Sequence, residues 1–167
     1  MLCGNVVGTI TSCLGFVLAL TGILTDFWLV DFGAGLFHEG LWQRCSKGDC
    51  VRLSGREYID ATRGLLIVSL AFLAFGVLCS SLSFFKVSVG RITASLVAGI
   101  MEFISAVFLL IGMSVYTGET QYGVNNGSLN YQWSFFLCWA AVLSLLVAGT
   151  SHTFAHVSSP TPGYESV

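Results

Sequence analysis

Four long apolar runs, separated by polar segments, dominate the pattern of hydrophobic and polar positions along the chain. They cover about residues 3–24, 64–85, 92–115 and 134–154. The only acidic or basic side chains within them are Glu102 in the third run and His152 near the end of the fourth. A helix needs about 20 apolar residues to cross the hydrocarbon core, and these runs lack the polar face of an amphipathic helix in a soluble bundle. The pattern therefore predicts four membrane-spanning helices.

The first apolar run is interpreted as a retained helix rather than a cleaved signal peptide. No basic residue precedes the run, it exceeds the usual length of a signal-peptide core, and no clear cleavage site with small residues follows it. We therefore predict a single four-helix transmembrane domain over residues 1–157. The remaining residues, 158–167, are predicted to form a flexible cytoplasmic tail.

The composition agrees with a lipid environment and excludes several classes of protein. Of the 167 residues, 54% are hydrophobic and 10% are charged, and the mean hydropathy is +0.81, whereas a soluble domain has about 25% charged residues. The net charge of −2 disfavours a nucleic-acid partner. There is no phosphate-binding loop, no Ser–His–acid arrangement and no paired carboxylates on a rigid pocket, so no enzyme, cofactor or metal site is predicted.

The orientation follows from the loops, about residues 25–63 and 116–133, and from the tight turn on the opposite face. The turn contains Lys86 and Arg91 and no acid, which is typical of a cytoplasmic segment, but the five basic residues of the first loop favour the reverse orientation. Three observations outweigh that count: six acids in the same loop, a pair of loop cysteines, and the N-glycosylation sequon at Asn126, which is used only in the lumen. Both loops are therefore predicted to be extracellular and both termini cytoplasmic.

The first loop has short β-prone pieces and two cysteines, Cys45 and Cys50. The four residues between the cysteines suit a hairpin tip, where cross-strand Cα atoms meet the distance that a disulfide requires. A disulfide that closes such a small ring is expected to add about 2 kcal/mol to the free energy of unfolding. The alternatives are two reduced cysteines or a metal pair, although zinc is disfavoured because no His or further Cys is spaced nearby.

Trp28 and Arg63, near the two ends of the first loop, each have two interpretations. Trp28 is either an aromatic residue of the membrane interface or an anchor that seats a small sheet on the helix ends. Arg63 is either a snorkelling residue that flanks the second span or a bridge between the sheet and the membrane surface. The sequence leaves both alternatives open.

The loop residues follow a pattern that also occurs in a known superfamily. The pattern comprises Trp28, Gly40, Leu41, Trp42, Cys45, Cys50 and Arg63. It resembles the claudin, peripheral myelin protein and epithelial membrane protein superfamily over nearly the whole chain, and its short cysteine spacing is more similar to the epithelial membrane and lens fibre branch than to claudins proper. The resemblance implies an all-α membrane protein, a left-handed four-helix bundle with a small extracellular antiparallel β-sheet. It also implies association with copies of itself or other membrane proteins rather than chemistry.

Glu102 is the one acid inside a predicted span. A charge at mid-bilayer costs about 2.5–3.5 kcal/mol on insertion scales, so an acid at this position suggests a functional role. It is expected to pair with a base of a partner subunit, to be protonated, or to bond to a Ser or Thr of a neighbouring helix such as Ser69. No Lys, Arg or His lies mid-span in the other three helices by sequence position, so an ion pair within the chain and a proton or ion pathway are both disfavoured.

The last residues of the tail, Gly163-Tyr164-Glu165-Ser166-Val167, contain two overlapping motifs. Tyr164 and Val167, with Gly163 before them, resemble the sorting signal that clathrin adaptors recognise in lysosomal membrane proteins. The free carboxylate and Val167 also match the ligand of a PDZ domain. Plain disorder without a motif is the third alternative, and either motif would direct the location of the protein without changing its folded part.

Three functional hypotheses follow. The first is a structural or adhesive protein of the plasma membrane, acting through its disulfide-bonded loop by lateral or cell–cell association. The second is an endolysosomal or secretory-granule membrane protein that regulates trafficking or exocytosis and is directed there by its tail. The third is a pore or transporter, for which Glu102 is the only support.

Overall fold

The computed structural model describes residues 2–31, 33, 37–85, 88–89 and 92–158. The helices are α1 Leu2–Leu24, α2 Glu57–Ser83, α3 Ala94–Asn125 and α4 Trp133–Val157. The strands are β1 Leu29–Asp31, β2 Phe37–Glu39, β3 Gln43–Ser46, β4 Asp49–Arg52, β5 Ser88–Val89, β6 Ile92–Thr93 and β7 Asn130–Tyr131. Gly163, Tyr164 and Val167 of the tail, and Lys86 and Arg91 of the turn, lie outside the described residues.

All four helices are long and apolar enough to cross a membrane, which confirms the predicted class of fold. α1 and α4 follow their apolar runs closely, but α2 begins at Glu57 and α3 continues to Asn125. Residues 57–63 and 116–125, predicted as parts of the two loops, are therefore helical. The loops between the helices are correspondingly shorter, at residues 25–56 and 126–132.

α2 and α3 extend beyond their apolar stretches. The sequence did not predict this, because hydropathy locates the part of a helix that lies inside lipid and not the end of the helix. Glu57 and Asp60 lie in the first turn of α2, where negative charge is favourable beside the exposed N–H groups of the helix. Tyr116 and Thr120 lie in the extension of α3 and are buried. Tertiary contacts thus stabilise helical turns that the hydrophobic pattern does not mark.

Glycines bring α1 close to α4. These are Gly4, Gly8, Gly15 and Gly22, and a Cβ atom added at any of them would meet an atom of α4 at 3.1 Å or less. Small residues let membrane helices approach closely, which replaces the hydrophobic drive that is absent between helices in lipid. α1 packs most extensively with α4, α2 packs most extensively with α3, and contacts between α3 and α4 join these two halves of the bundle.

A five-stranded antiparallel sheet covers one end of the bundle, with the strand order β4-β3-β2-β1-β7. β7 comes from the second loop and pairs with β1 from the first, so that Leu29 lies opposite Tyr131. Both loops therefore lie at the same end of the bundle. A separate two-stranded antiparallel sheet, β5–β6, lies between α2 and α3 in the chain.

Candidate functional site

The disulfide joins β3 to β4 near the tip of their hairpin. Cys45 and Cys50 are direct cross-strand partners, with Cα atoms 4.0 Å apart. Lys47 and Gly48 make the turn, and both have positive φ, 52° and 96°, which is the conformation that a tight hairpin turn requires and that glycine adopts at little cost. The predicted disulfide is confirmed, and the alternatives of reduced cysteines or a metal pair are wrong.

β4 is an edge strand whose side chains face solvent. All four of its residues are exposed, and the Val51 side chain is 68% exposed. Among the described residues, β3 is the only strand that pairs with β4. The hairpin therefore presents an apolar side chain and free backbone groups on a strand whose register the disulfide fixes.

Trp28 lies at the junction of the sheet and the bundle and is fully buried. Its indole N–H donates a 2.7 Å hydrogen bond to the Gly22 carbonyl at the end of α1. The ring makes edge contacts with Tyr116 of α3 and Phe135 of α4, at centroid distances of 4.8 and 5.9 Å. Trp28 thus has the geometry of a packing anchor that contacts three helices, and not that of an interfacial aromatic in lipid headgroups.

The residues of the Gly40-Leu41-Trp42 motif each make a different contact. A side chain at Gly40 would overlap the Asp26 backbone, so only glycine fits there. Leu41 is fully buried. Trp42 is 37% exposed, and its indole N–H donates a 2.8 Å bond to the Ile23 carbonyl. The motif therefore fixes the β2–β3 connection onto the end of α1.

Arg63, in the second turn of α2, connects that helix to the sheet. Its guanidinium donates to the carbonyls of Leu41, with Nε at 2.7 Å, and of Leu53 at 2.9 Å. It also stacks over the Trp42 ring, 5.2 Å from the centroid, and pairs with the exposed Asp60. A planar group with five donors can bind two carbonyls and an aromatic face together, and so Arg63 bridges loop and helix.

An open cavity of about 550 Å³ lies beside this arginine. It is lined by Trp42, Gln43, Arg52, Leu53, Ser54 and Arg63. The indole and the two guanidinium groups give the cavity one apolar wall and a positive charge.

Glu39 forms a buried charge cluster that the sequence analysis did not identify. The side chain is 2% exposed, and its carboxylate binds Arg44 at 2.6 Å and Arg56 at 3.3 Å. Arg56 also donates to the Tyr58 hydroxyl at 3.0 Å. The bond to Tyr58 and the Glu39 charge raise the pKa of Arg56 against the lowering effect of burial, so this arginine stays charged. The one signal in the sequence is that Glu39 directly precedes the Gly-Leu-Trp motif.

Glu102 bonds to a serine of a neighbouring helix, which is one of its three predicted alternatives, but that serine is Ser12 and not Ser69. Its Oε1 accepts a hydrogen bond from Ser12 of α1, while Ser69 bonds instead to Ser105, at 2.9 Å. His152 is a further neighbour, because its Nε2 is 3.5 Å from Glu102 Oε1 and both side chains are fully buried. These two neighbours were not evident from the sequence, because positions along four separate runs do not show which side chains meet at one level of a bundle.

Asn126 is the C-cap residue of α3 and is exposed. Gly127, which follows it, has a φ of 72°, so the chain turns sharply away from the helix end. The Asn126 amide therefore lies where an enzyme could reach it, on the same end of the bundle as the sheet. The sorting-signal residues of the tail have no described position.

A family model and several known proteins match the chain. The model described as the PMP-22/EMP/MP20/Claudin family matches residues 2–151. Protein NKG7 of Bos taurus is 34% identical, over 95% of this chain and 94% of that protein. Lens fiber membrane intrinsic protein of Rattus norvegicus is 31% identical over 89% of each chain. Claudin domain-containing protein 2 of Mus musculus is 23% identical over 85% of this chain and 80% of that protein.

Proposed function

The chain belongs to the PMP-22/EMP/MP20/Claudin family, and from this membership we propose that it associates laterally or between cells through the disulfide-bonded hairpin of its first loop. It is a multi-pass membrane protein with four candidate spans and a disulfide in that loop, and it is a structural membrane protein rather than an enzyme.

The observation that supports this role most strongly is the exposed edge strand β4. Val51 projects from it with about two-thirds of its surface exposed, and no described strand pairs with the outer edge of β4, so its backbone groups there can pair with another chain. The Cys45–Cys50 disulfide holds the strand in one register, which lowers the entropy lost when a partner binds. A second copy of the chain or another membrane protein would bury Val51.

We expect Val51→Asp to weaken the association about tenfold, because it places a charge at the centre of the apolar contact. Suspended cells expressing each variant are scored for aggregation and for lateral cross-linking, at matched surface levels. Tyr122→Ser is the matched control, since Tyr122 is also an exposed apolar side chain, on α3 near the second loop. Equal association by the wild type, Val51→Asp and Tyr122→Ser would refute the role of β4.

Replacing Cys45 and Cys50 together with alanine is expected to destabilise the hairpin by about 2 kcal/mol and to reduce delivery to the cell surface. The loss arises because the hairpin no longer has a fixed register and the loop misfolds. Surface biotinylation measures the delivered fraction. Cys13→Ala serves as the control, because Cys13 is exposed on α1 and makes no disulfide. Delivery and association equal to those of Cys13→Ala would remove the structural role of the disulfide.

The orientation proposed for the chain places both loops outside and both termini in the cytoplasm. Asn126 is exposed at the end of the bundle that carries the sheet, so we expect it to receive an N-glycan in a secretory-pathway membrane. Glycosidase treatment should shift the gel band of the wild type and leave Asn126→Gln unshifted. If a glycan is found instead on a sequon engineered into the tail, the tail is in the lumen and the orientation is the reverse of the one proposed.

A second candidate function is residence in an endolysosomal or granule membrane, with a role in trafficking. It rests on the tail motif formed by Gly163, Tyr164 and Val167. When the last ten residues are fused to a plasma-membrane reporter, we expect the reporter to be internalised to endolysosomes and Tyr164→Ala to keep it at the surface. If Val167→Ala abolishes binding of the tail to a PDZ domain while internalisation of the reporter persists, the PDZ alternative is favoured over the clathrin adaptor.

A further inference from the structure

Side chains from all four helices meet at one buried point near the end of the bundle opposite the sheet. We call these side chains the polar cluster: Thr9 and Ser12 of α1, Ser80 of α2, Glu102 of α3 and His152 of α4. All of them except Thr9 have no exposed surface. Ionisable residues such as Glu102 and His152 are rare inside membrane-spanning helices and mark functional sites there.

A chain of hydrogen bonds determines which nitrogen of His152 carries its proton. The Thr9 hydroxyl donates its only hydrogen to the Asn5 carbonyl at 2.8 Å, so the Ser80 hydroxyl is the donor in the 2.5 Å bond between Ser80 and Thr9. The Ser80 oxygen is then free to accept from His152 Nε2 at 3.0 Å. Neutral His152 therefore carries its proton on Nε2, which leaves Nδ1 without a hydrogen-bond partner among the described residues.

Glu102 is left with an incomplete set of partners. Ser12 donates to its Oε1, and His152 Nε2, whose N–H is donated to Ser80, lies 3.5 Å from the same oxygen. Oε2 has no hydrogen-bond partner among the described residues. With His152 neutral, an ionised Glu102 would place an uncompensated negative charge in a fully buried position, which is a costly arrangement in a medium without water.

The geometry points to a proton-binding site formed by Glu102 and His152. The ligand is a proton, which comes from the aqueous phase at the termini end, adds to the Glu102 carboxylate, and changes the net charge of the pair from −1 to zero. The proton adds to Glu102 rather than to His152 Nδ1, because a proton on Nδ1 would create a buried positive charge with no acceptor for its N–H. Since the two groups interact at 3.5 Å, the pH at which the proton is lost is a property of the pair and not of either residue alone.

The location of the site agrees with proton exchange from that end of the bundle. Glu102 is eight residues from the first residue of α3, which corresponds to about 12 Å along the helix. His152 is five residues from the last residue of α4, or about 8 Å. The path to water is therefore short, and it is shorter than half of the hydrocarbon thickness of about 30 Å.

The polar cluster also lies between the two halves of the bundle. The bond between Ser12 and Glu102 joins α1 to α3, and the bond between Ser80 and His152 joins α2 to α4. Both therefore connect the α1–α4 half to the α2–α3 half. Gly8 leaves room for this contact, because a Cβ atom there would lie 2.6 Å from the His152 ring. The protonation state consequently acts on the interface between the halves.

Few other titratable side chains are near the pair. On α2, the buried Cys79 precedes Ser80 in sequence. On α4, His156 lies one turn beyond His152 and bonds to Thr93 through Nδ1 at 2.9 Å. The cysteines of α1, Cys3 and Cys13, are exposed on the surface of the bundle. Glu102 is the only acidic or basic residue of α3 before Glu119, and Lys86 and Arg91 lie outside the described residues.

The test is infrared spectroscopy of the full chain in phosphatidylcholine nanodiscs, recorded as a function of pH. We expect a carbonyl band of a buried, protonated carboxyl group that disappears on raising the pH and is absent from Glu102→Gln. Ser12→Ala and His152→Gln should each move the pH at which the band disappears by about one unit, because they remove a group beside the carboxylate. Ser105→Ala, which removes a buried hydroxyl bonded only to Ser69, should leave that pH unchanged.

Two results would overturn the proposal. One is a spectrum of the wild type in which no buried carboxyl band changes with pH over the whole range in which the protein stays folded. The other is a band that titrates at the same pH in Ser12→Ala, His152→Gln and Ser105→Ala. Because these outcomes are read from the wild type and from variants with small changes, the test does not depend on whether Glu102→Gln folds.

Discussion

Trp28→Ala is expected to lower the free energy of unfolding by about 3–5 kcal/mol, the range found when a fully buried aromatic side chain is removed. The indole fills the space between the sheet and three helices, where it contacts Tyr116 and Phe135. Its removal also leaves the Gly22 carbonyl without its donor. Unfolding in detergent micelles, followed by tryptophan fluorescence and circular dichroism, measures the change.

Two further variants separate packing from hydrogen bonding. Trp28→Phe keeps most of the ring and loses the N–H, so it should cost about 1–3 kcal/mol. Trp133→Ala is the matched control, because Trp133 is 45% exposed and stacks only against Phe27 in the described residues. If Trp28→Ala is no less stable than Trp133→Ala, then Trp28 does not anchor the sheet.

The number and order of the helices could be predicted because each apolar run carries the signal for its own span. The start of α2 could not, since Glu57 and Asp60 are polar, and the helix is favoured there by their negative charge in its first turn and by the burial of Ile59. The close approach of α1 to α4 was also not evident. A Gly-x-x-x-Gly spacing such as Gly4 and Gly8 is common in a chain with 19 glycines, and only the structure shows that both glycines face α4.

The sequence likewise predicts some features of the candidate site and not others. The disulfide was predictable because both cysteines lie in one hairpin, so local spacing fixes their distance. The pairing of β7 with β1 was not, because the two strands come from loops about 100 residues apart in sequence. The partners of Glu102 depend on the rotation of four helices about their axes, and Ser12 does not differ in sequence from a serine that faces lipid.

Arg63 illustrates how one long-range contact can decide between two interpretations that were equal on sequence. A snorkelling arginine would extend toward water and leave the loop untouched. Instead, its guanidinium donates to backbone carbonyls of the segments before β3 and after β4, while its stem belongs to α2. The disulfide-bonded hairpin is therefore fixed to the bundle at its base by Arg63 and within itself by the disulfide.

Arg63→Ala is accordingly expected to destabilise the fold by about 3 kcal/mol, because two carbonyls lose charged donors and the Trp42 ring loses its cover. Arg63→Lys should recover only part of this loss, since an ammonium group cannot bind both carbonyls and stack on the ring. Unfolding in micelles measures the wild type and both variants.

Arg52→Ala is the matched control for that loss. Arg52 is an exposed arginine of β4 that lines the same open cavity, and its removal should change stability by about 0.5 kcal/mol or less. The hydrogen-bonding role of Arg63 would be excluded if Arg63→Lys matched the wild type while Arg63→Ala lost stability, because a positive charge at the membrane surface would then suffice. That result would assign Arg63 to the electrostatics of the lipid surface, and the hairpin would have to be held to the bundle by its other contacts, such as the bond from Trp42 to the Ile23 carbonyl.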